Sequence, residues 1–124
     1  MSAEWHLAEI EERSGEMANV VRAAEVESVE MLPGVKRRTL SCGERVMLVQ
    51  FTFDEGAVVP LHQHPQEQAG YVVKGELEMR IGSETYRLKA GDSYLALANV
   101  EHGAKVVKEA VVVDAFSPPR EDYK

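Results

Sequence analysis

The chain has 124 residues with a formal net charge of −7, and its isoelectric point lies near 5.1. A chain of this length predicts one domain with a single hydrophobic core. The acidic balance argues against a nucleic-acid partner, which would require a basic surface, and no apolar run is long enough to span a membrane.

Two features of the sequence predict the compartment. The first residues, MSAEWHLAEIEER, are acidic, whereas a signal peptide begins with basic residues followed by apolar ones. The chain has one cysteine, Cys42, and therefore no internal disulfide framework. Both observations favour the cytoplasm, where thiols stay reduced.

The N-terminal segment has a weak helical pattern. Apolar residues recur at helical spacing after a serine that can cap a helix, which predicts one short helix near 16–25. The residues that carry this pattern are Ser14, Met17, Val20, Val21 and Ala24. A strand that contributes to a dimer is the competing interpretation, and residues 26–32 are compatible with an edge strand.

Strand signals dominate from residue 45 onward. Five runs are rich in β-branched, aromatic and leucine residues, and turn residues separate them about every eight to twelve positions. These runs are 45–53, 71–81, 84–90, 93–98 and 110–116. Gly82–Ser83 predicts a tight hairpin, Gly91–Asp92 a turn and Pro118–Pro119 the end of the last strand. The pattern predicts an all-β sandwich or barrel.

Two short segments contain three of the four histidines of the chain. In an unbroken strand, residues two apart project from the same face, so His62, His64 and Gln68 would point the same way. His102 could close the site from a distant strand. Because imidazole is a common ligand of transition metals, the pattern predicts a metal site. The alternative is two solvated surface histidines, but the turn residues around the pair favour the site.

These segments carry a family resemblance. The stretch GAVVPLHQHPQEQAGYVVKG, residues 56–75, resembles the first motif of the cupin family, and GDSYLALANVEHGA, residues 91–104, resembles the second. Gln68 takes the position that most cupins fill with glutamate. Leu97 and Asn99 stand where proline and glycine are usual, which affects a turn more than a metal.

The resemblance is to the small single-domain cupins of the RmlC-like superfamily, and it spans roughly residues 33 to 120. It implies an all-β cupin double-stranded β-helix, that is, a jelly-roll barrel, over residues 33–124. Residues 1–32 would form a short helical or strand extension. The family also implies a homodimer.

The same resemblance implies one divalent transition metal, which would be zinc, nickel, manganese or iron. His62, His64 and His102 would be three of its ligands. Glu67 competes with Gln68 as the fourth, but its parity directs it to the other face of a strand, which favours Gln68. A neutral amide leaves the metal its full charge and favours an anionic substrate.

The tail DAFSPPRED, residues 114–122, resembles that of the small cupins of pectin breakdown, which convert unsaturated uronates into linear diketo acids. The resemblance implies that Asp114 acts as acid and base, Phe116 packs against the sugar ring and Arg120 clamps the carboxylate. Gln66 shares the parity of Gln68 and is assigned to substrate binding. From the residues alone, Phe116 could instead be core and Arg120 solvated.

The predicted function is therefore a metal-dependent isomerase that opens the ring of a small carboxylated carbohydrate. Two other functions remain open at this stage. One is a non-catalytic cupin that captures a small molecule at the mouth of the barrel. The other is a metal-dependent oxygenase, whose usual ligand set includes a carboxylate.

Three residues elsewhere in the strands bear on the pocket. Met79 and Arg80 alternate, so only one of them can face the interior of the barrel. Tyr94 is interpreted as a half-buried strand residue.

Overall fold

The computed structural model of the protein describes Trp5 and residues 18–124. Within these residues the chain forms strands β1 (Val29–Leu32), β2 (Val35–Cys42), β3 (Met47–Phe53), β4 (Val58–His62), β5 (Glu67–Ile81), β6 (Glu84–Lys89), β7 (Ser93–Ala96) and β8 (His102–Ser117). Short 3₁₀ turns occur at Ala23–Glu25 and Glu121–Tyr123. No helix in this part of the chain is long and apolar enough to cross a membrane.

Two long central strands, β5 and β8, organise the barrel. They pair with each other along most of their length, and each changes its outer neighbour midway. The first part of β8 pairs with β4 and its second part with β3, while β5 pairs first with β7 and then with β6. The result is two antiparallel sheets, β1-β2-β3-β8-β5-β7 and β4-β8-β5-β6, which share their central strands. This arrangement confirms the all-β jelly-roll prediction.

A glycine marks the point where β5 changes neighbours. Gly75 has a φ of 90°, and the register with β8 shifts on both sides of it. A Cβ at this position would overlap the carbonyl oxygen of Glu109 and would lie 2.6 Å from the Cα of Ala110. Gly75 thus lies in a β-bulge, where the two long strands are in close contact.

Replacement of Gly75 by alanine is expected to lower the free energy of unfolding by more than its φ alone explains. The positive φ accounts for roughly 1–2 kcal/mol, and the overlap with the β8 backbone adds to it. Gly91→Ala is the matched control, because Gly91 has a φ of 96° but nothing within 4 Å of a Cβ. Urea denaturation of both variants tests this, and equal losses would contradict the role of close packing.

The core lies between the two sheets. On β3 every second side chain is buried, and the same alternation holds over the second half of β8. The largest fully buried side chains are Met47, Val49, Val72, Leu77, Val112 and Phe116. Met79 is buried and Arg80 is exposed, so Met79 is the one of the two that faces the interior of the barrel.

The structure corrects the N-terminal prediction. Residues 18–22 have no regular structure, and the described part of the expected helix near 16–25 contains only the turn Ala23–Glu25. Val20 is 48% exposed, so this apolar side chain adds little packing, and a short helix without packing is unstable. Ser14 and Met17 lie outside the described residues.

One strand agrees with an alternative considered from the sequence, and two strands differ from the sequence-based expectation. β1, within the segment 26–32, is an edge strand that pairs with β2, as considered above. β2 and β4 were not predicted. β2 reads VKRRTLSC and contains three consecutive basic residues, and β4 carries Pro60, so neither has a clear strand pattern.

Candidate metal centre and cavity

The histidine pair does not lie on one unbroken strand, contrary to the prediction. His62 is the last residue of β4, residues 63–66 form a turn that contains Pro65, and β5 begins at Glu67. Proline cannot donate to a strand ladder, which explains the interruption. His64 therefore lies in the turn, and within-strand parity does not explain its position.

Strand pairing and a turn contact assemble the three histidines instead. His62 is the register partner of His102, which begins β8. The backbone N–H of Asn99 donates to the carbonyl oxygen of His64 at 2.8 Å and so ties the turn before β8 to the turn after β4. Asn99 has a φ of 63°, a conformation that asparagine tolerates, and it thus performs the task of the usual glycine.

The imidazole rings converge on one point. Ring centroids are 4.4 Å apart for His62 and His102, and 4.9 Å apart for His64 and His102. One ring nitrogen from each histidine lies within 4.8 Å of the others. No carboxylate joins this cluster among the residues that the structure describes.

Backbone carbonyls fix the tautomer of each ring. The Nδ1 atoms of His62, His64 and His102 lie 2.9 Å from the carbonyl oxygens of Pro60, Gln66 and Val100, respectively. A carbonyl oxygen can only accept a hydrogen bond, so each Nδ1–H must donate. Each neutral imidazole then presents the lone pair of Nε2, the form in which histidine binds a metal.

The side-chain oxygen of Gln68 adds a fourth atom with a lone pair to the three imidazole nitrogens. Its Oε1 lies 3.0 Å from the Nε2 of His64 and 3.2 Å from that of His102. An amide oxygen and imidazole lone pairs at these distances repel one another unless a positive charge lies between them. Glu67 is exposed on the opposite side of β5. The donor set therefore fits a transition-metal cation held by His62, His64, His102 and Gln68.

Burial favours the neutral form of His64 and His102. Desolvation lowers the pKa of His64, and the nearby positive charge of Arg120 lowers it further. Desolvation also lowers the pKa of His102. Neutral imidazole is the metal-binding form, so both residues are ready to bind at neutral pH.

A buried carboxyl group lies beside this cluster. Asp114 faces inward from β8 and is 2% exposed. The hydroxyl of Tyr94 donates to its Oδ1 in a short hydrogen bond. Burial raises the pKa of Asp114 to about 7, although the hydrogen bonds from Tyr94 and Gln68 oppose the shift. A carboxyl group with such a pKa can both give and take a proton at neutral pH.

A cavity of about 330 Å³ opens onto these groups. Its polar lining consists of His62, Gln68, Tyr94, His102, Asp114 and Arg120. The apolar lining includes Met31, Phe51, Phe53, Leu77, Met79, Val112, Phe116 and Tyr123. A cavity of this size suits a small metabolite.

Arg120 reaches the cavity from the C-terminal tail. Its guanidinium carbon lies 4.0 Å from the centre of the Tyr123 ring and 5.5 Å from that of Phe116. Its Nη2 also pairs with Asp122 at 3.0 Å. The Phe116 ring in turn lies 5.7 Å from the ring of His64. The structure thus brings Asp114, Phe116 and Arg120 to one cavity beside the histidines.

Gln66 is the exception among the residues assigned to substrate binding. It is half-buried and does not contribute to the cavity wall. Its backbone carbonyl instead accepts the hydrogen bond from His64 Nδ1. This geometry gives no support to substrate binding by the Gln66 side chain and assigns the residue to orienting a histidine.

Sequence reasoning missed one aromatic residue of the site and underestimated the burial of another. Tyr94 is buried, not half-buried, and links Gln68 to Asp114. The ring of Tyr123 packs on the guanidinium of Arg120, but Tyr123 belongs to no predicted strand or motif of the sequence. Strand spacing offered a signal for Tyr94: it lies two residues before Ala96 on β7, so the two side chains share a face, and both are buried.

The fold and the two motif segments define a cupin, and the chain belongs to this family. The family model described as Cupin domain (Cupin_2) matches residues 49–116. The chain is similar to the pectin degradation protein KdgF of Dickeya dadantii, with 36% identity over 96 residues that cover 76% of this chain and 87% of that protein. It is also similar to the solved structure of KdgF from Halomonas sp., with 34% identity and a TM-score of 0.82. That match covers 86% of this chain and 98% of the Halomonas chain.

A second relative has a different name. H2HPP isomerase of Bacillus subtilis is 35% identical over 89 residues. The match covers 69% of this chain but only 37% of that protein, so the present chain spans little more than a third of it.

Proposed function

We propose that this cupin is a metal-dependent isomerase that opens the ring of an unsaturated uronate. The observation that carries the proposal is the position of Asp114, a buried carboxyl group with a pKa raised to about 7, in the wall of a cavity that His62, His102 and Arg120 also line. Similarity to two KdgF proteins supports the same reaction class.

Each side chain has a task in this reaction. Arg120 binds the substrate carboxylate, for which a planar guanidinium is well suited. Phe116 packs against the sugar ring. Asp114 takes the proton of the anomeric hydroxyl as the bond between the anomeric carbon and the ring oxygen breaks, and it then returns a proton to the enolate that forms. His62, His64, Gln68 and His102 would hold the metal. When bound, the metal would act as a Lewis acid toward a substrate oxygen.

The assay uses the uronate released by a pectate or alginate lyase and metal-loaded protein. Nuclear magnetic resonance follows the appearance of the linear diketo acid, with spontaneous ring opening as the baseline. A rate no higher than that baseline, with metal bound, would contradict the proposal and leave a non-catalytic binding protein. Oxygen consumption with an iron-loaded sample would instead favour an oxygenase, for which the described cluster lacks a carboxylate.

Arg120→Gln is expected to raise KM for the uronate by about 30-fold, which corresponds to about 2 kcal/mol for a lost buried charge pair. Arg87→Gln is the control, because Arg87 pairs with Glu76 away from the cavity lining. Steady-state kinetics measures both. An unchanged KM in Arg120→Gln would remove this residue from substrate binding.

One observation favours a second substrate class. Most of the cavity wall is apolar and offers few partners to sugar hydroxyls, whose burial without hydrogen bonds is costly. A carboxylate with a hydrocarbon body would suit such a wall, and one relative is named as H2HPP isomerase. Parallel assays with the uronate and a carboxylic acid that carries a hydrocarbon ring distinguish the two classes.

The proposal includes a homodimer in the cytoplasm that acts on a small anionic substrate. Family resemblance supports the dimer, and the single cysteine suits a reducing compartment. Analytical ultracentrifugation measures the oligomeric state.

A further inference from the structure

The hydroxyl of Tyr94 lies between the candidate metal centre and the buried carboxyl group. Gln68 Nε2 donates to this hydroxyl at 2.7 Å, and the hydroxyl donates to Asp114 Oδ1. The hydrogen bonds therefore run in one direction, from the amide through the phenol to the carboxyl group. All three residues are buried, so water does not compete for these contacts.

The backbone register explains how the phenol reaches this position. Gly70 on β5 is the register partner of Tyr94 on β7 and of Asp114 on β8, so the three residues form one row across the sheet. A Cβ at Gly70 would overlap both Tyr94 Cε1 and Asp114 Oδ1. Because Gly70 has no side chain, the ring of Tyr94 can lie over this position and reach Asp114.

The row fixes which end of the amide faces the histidines. An amide has a donor end and an acceptor end of nearly the same shape. Because Tyr94 takes the donor end, Gln68 presents Oε1 to His64 and His102. A carboxylate at position 68 could not donate to Tyr94, so the glutamine suits this row better than the glutamate found in most cupins.

We infer that Tyr94 is a positioning residue that holds the Gln68 amide with its oxygen toward the metal. The inference rests on the metal site of the proposed function, and Tyr94 acts through Gln68. Without the phenol, the amide can rotate by half a turn and direct its N–H₂ group at the Nε2 lone pairs of His64 and His102. The amide would then form hydrogen bonds to the imidazoles and compete with the metal.

The test is zinc binding by isothermal titration calorimetry to metal-free wild type, Tyr94→Phe and Tyr71→Phe. Tyr71 is the matched control, because it undergoes the same substitution on the adjacent strand but is 51% exposed. We expect zinc affinity to fall by about 10- to 100-fold in Tyr94→Phe, the usual effect of removing a group that orients a ligand. Tyr71→Phe should bind zinc like wild type.

Cobalt-loaded protein gives a second readout, since the visible spectrum of cobalt reports its ligands. Tyr94→Phe should change this spectrum, because the amide oxygen is lost while the imidazoles remain. If Tyr94→Phe does not fold, Gly70→Ala displaces the phenol by another route and should weaken zinc binding in the same way.

The outcomes separate this inference from the proposed reaction. Zinc affinity and cobalt spectrum equal to wild type in Tyr94→Phe would overturn the inference, whatever the uronate assay shows. Wild type that binds no metal would overturn it as well. If wild type binds zinc, Tyr94→Phe binds it weakly and neither opens a uronate ring, the positioning role stands and the proposed reaction fails.

Discussion

Removal of two imidazoles is expected to abolish metal binding. Wild-type protein should carry about one equivalent of a transition metal after purification without chelators, whereas His62→Ala/His102→Ala should carry almost none. The physical reason is the geometry of the cluster: His62 and His102 face each other across β4 and β8, and with both removed only His64 and a neutral amide remain. Elemental analysis of untagged protein measures the content.

The control replaces a histidine that does not belong to the two motif segments. His6→Ala changes the one histidine outside the two motif segments. A chelator should lower the Tm of wild type and of His6→Ala, because a metal that binds the folded state stabilises it. It should leave the double variant unaffected. Equal metal contents in wild type and the double variant would place the metal elsewhere and contradict the site.

The sequence predicts which histidines lie close together better than it predicts how the fold brings them together. His62, His64 and His102 can be recognised from spacing and from their resemblance to two cupin motifs. The reason first offered for their convergence, parity on one strand, is wrong because the strand ends at His62. The prediction that these three histidines lie together is still correct, because pairing between distant strands brings the same side chains together.

Within-strand parity succeeds where a strand is long and regular. Asp114 and Phe116 share a face on β8, and both are buried as their spacing predicts. The row of Gly70, Tyr94 and Asp114 depends instead on the registers of β7, β5 and β8, which the spacing within any one strand does not contain. The burial of Tyr94 depends on these registers, so its position in the sequence alone indicates only an ordinary strand residue.

Asp114→Asn is expected to show opposite effects on activity and on the stability of the metal-free protein. If Asp114 moves the proton, the rate of ring opening should fall by about 10²- to 10⁴-fold, the usual contribution of a general acid or base. The amide keeps the shape of the carboxyl group and can still accept the hydrogen bond from Tyr94. Kinetics with the uronate measures this loss, and Asp54→Asn, at an exposed position, should retain full activity.

The stability effect follows from the raised pKa of the same group. The pKa of Asp114 is about 7 in the folded protein against 3.8 for the unconstrained side chain. The stability that depends on its neutral form is thus fully present below pH 3.8 and is lost as the pH rises through about 7. Asparagine stays neutral, so the Tm of metal-free Asp114→Asn should exceed that of wild type by a margin that grows over this range and then levels off. Calorimetry across the range measures the margin, with metal-free Asp54→Asn as the control. A margin that does not change with pH would show that Asp114 titrates as an ordinary carboxylate, and it would remove the property that makes this residue suited to exchange protons at neutral pH.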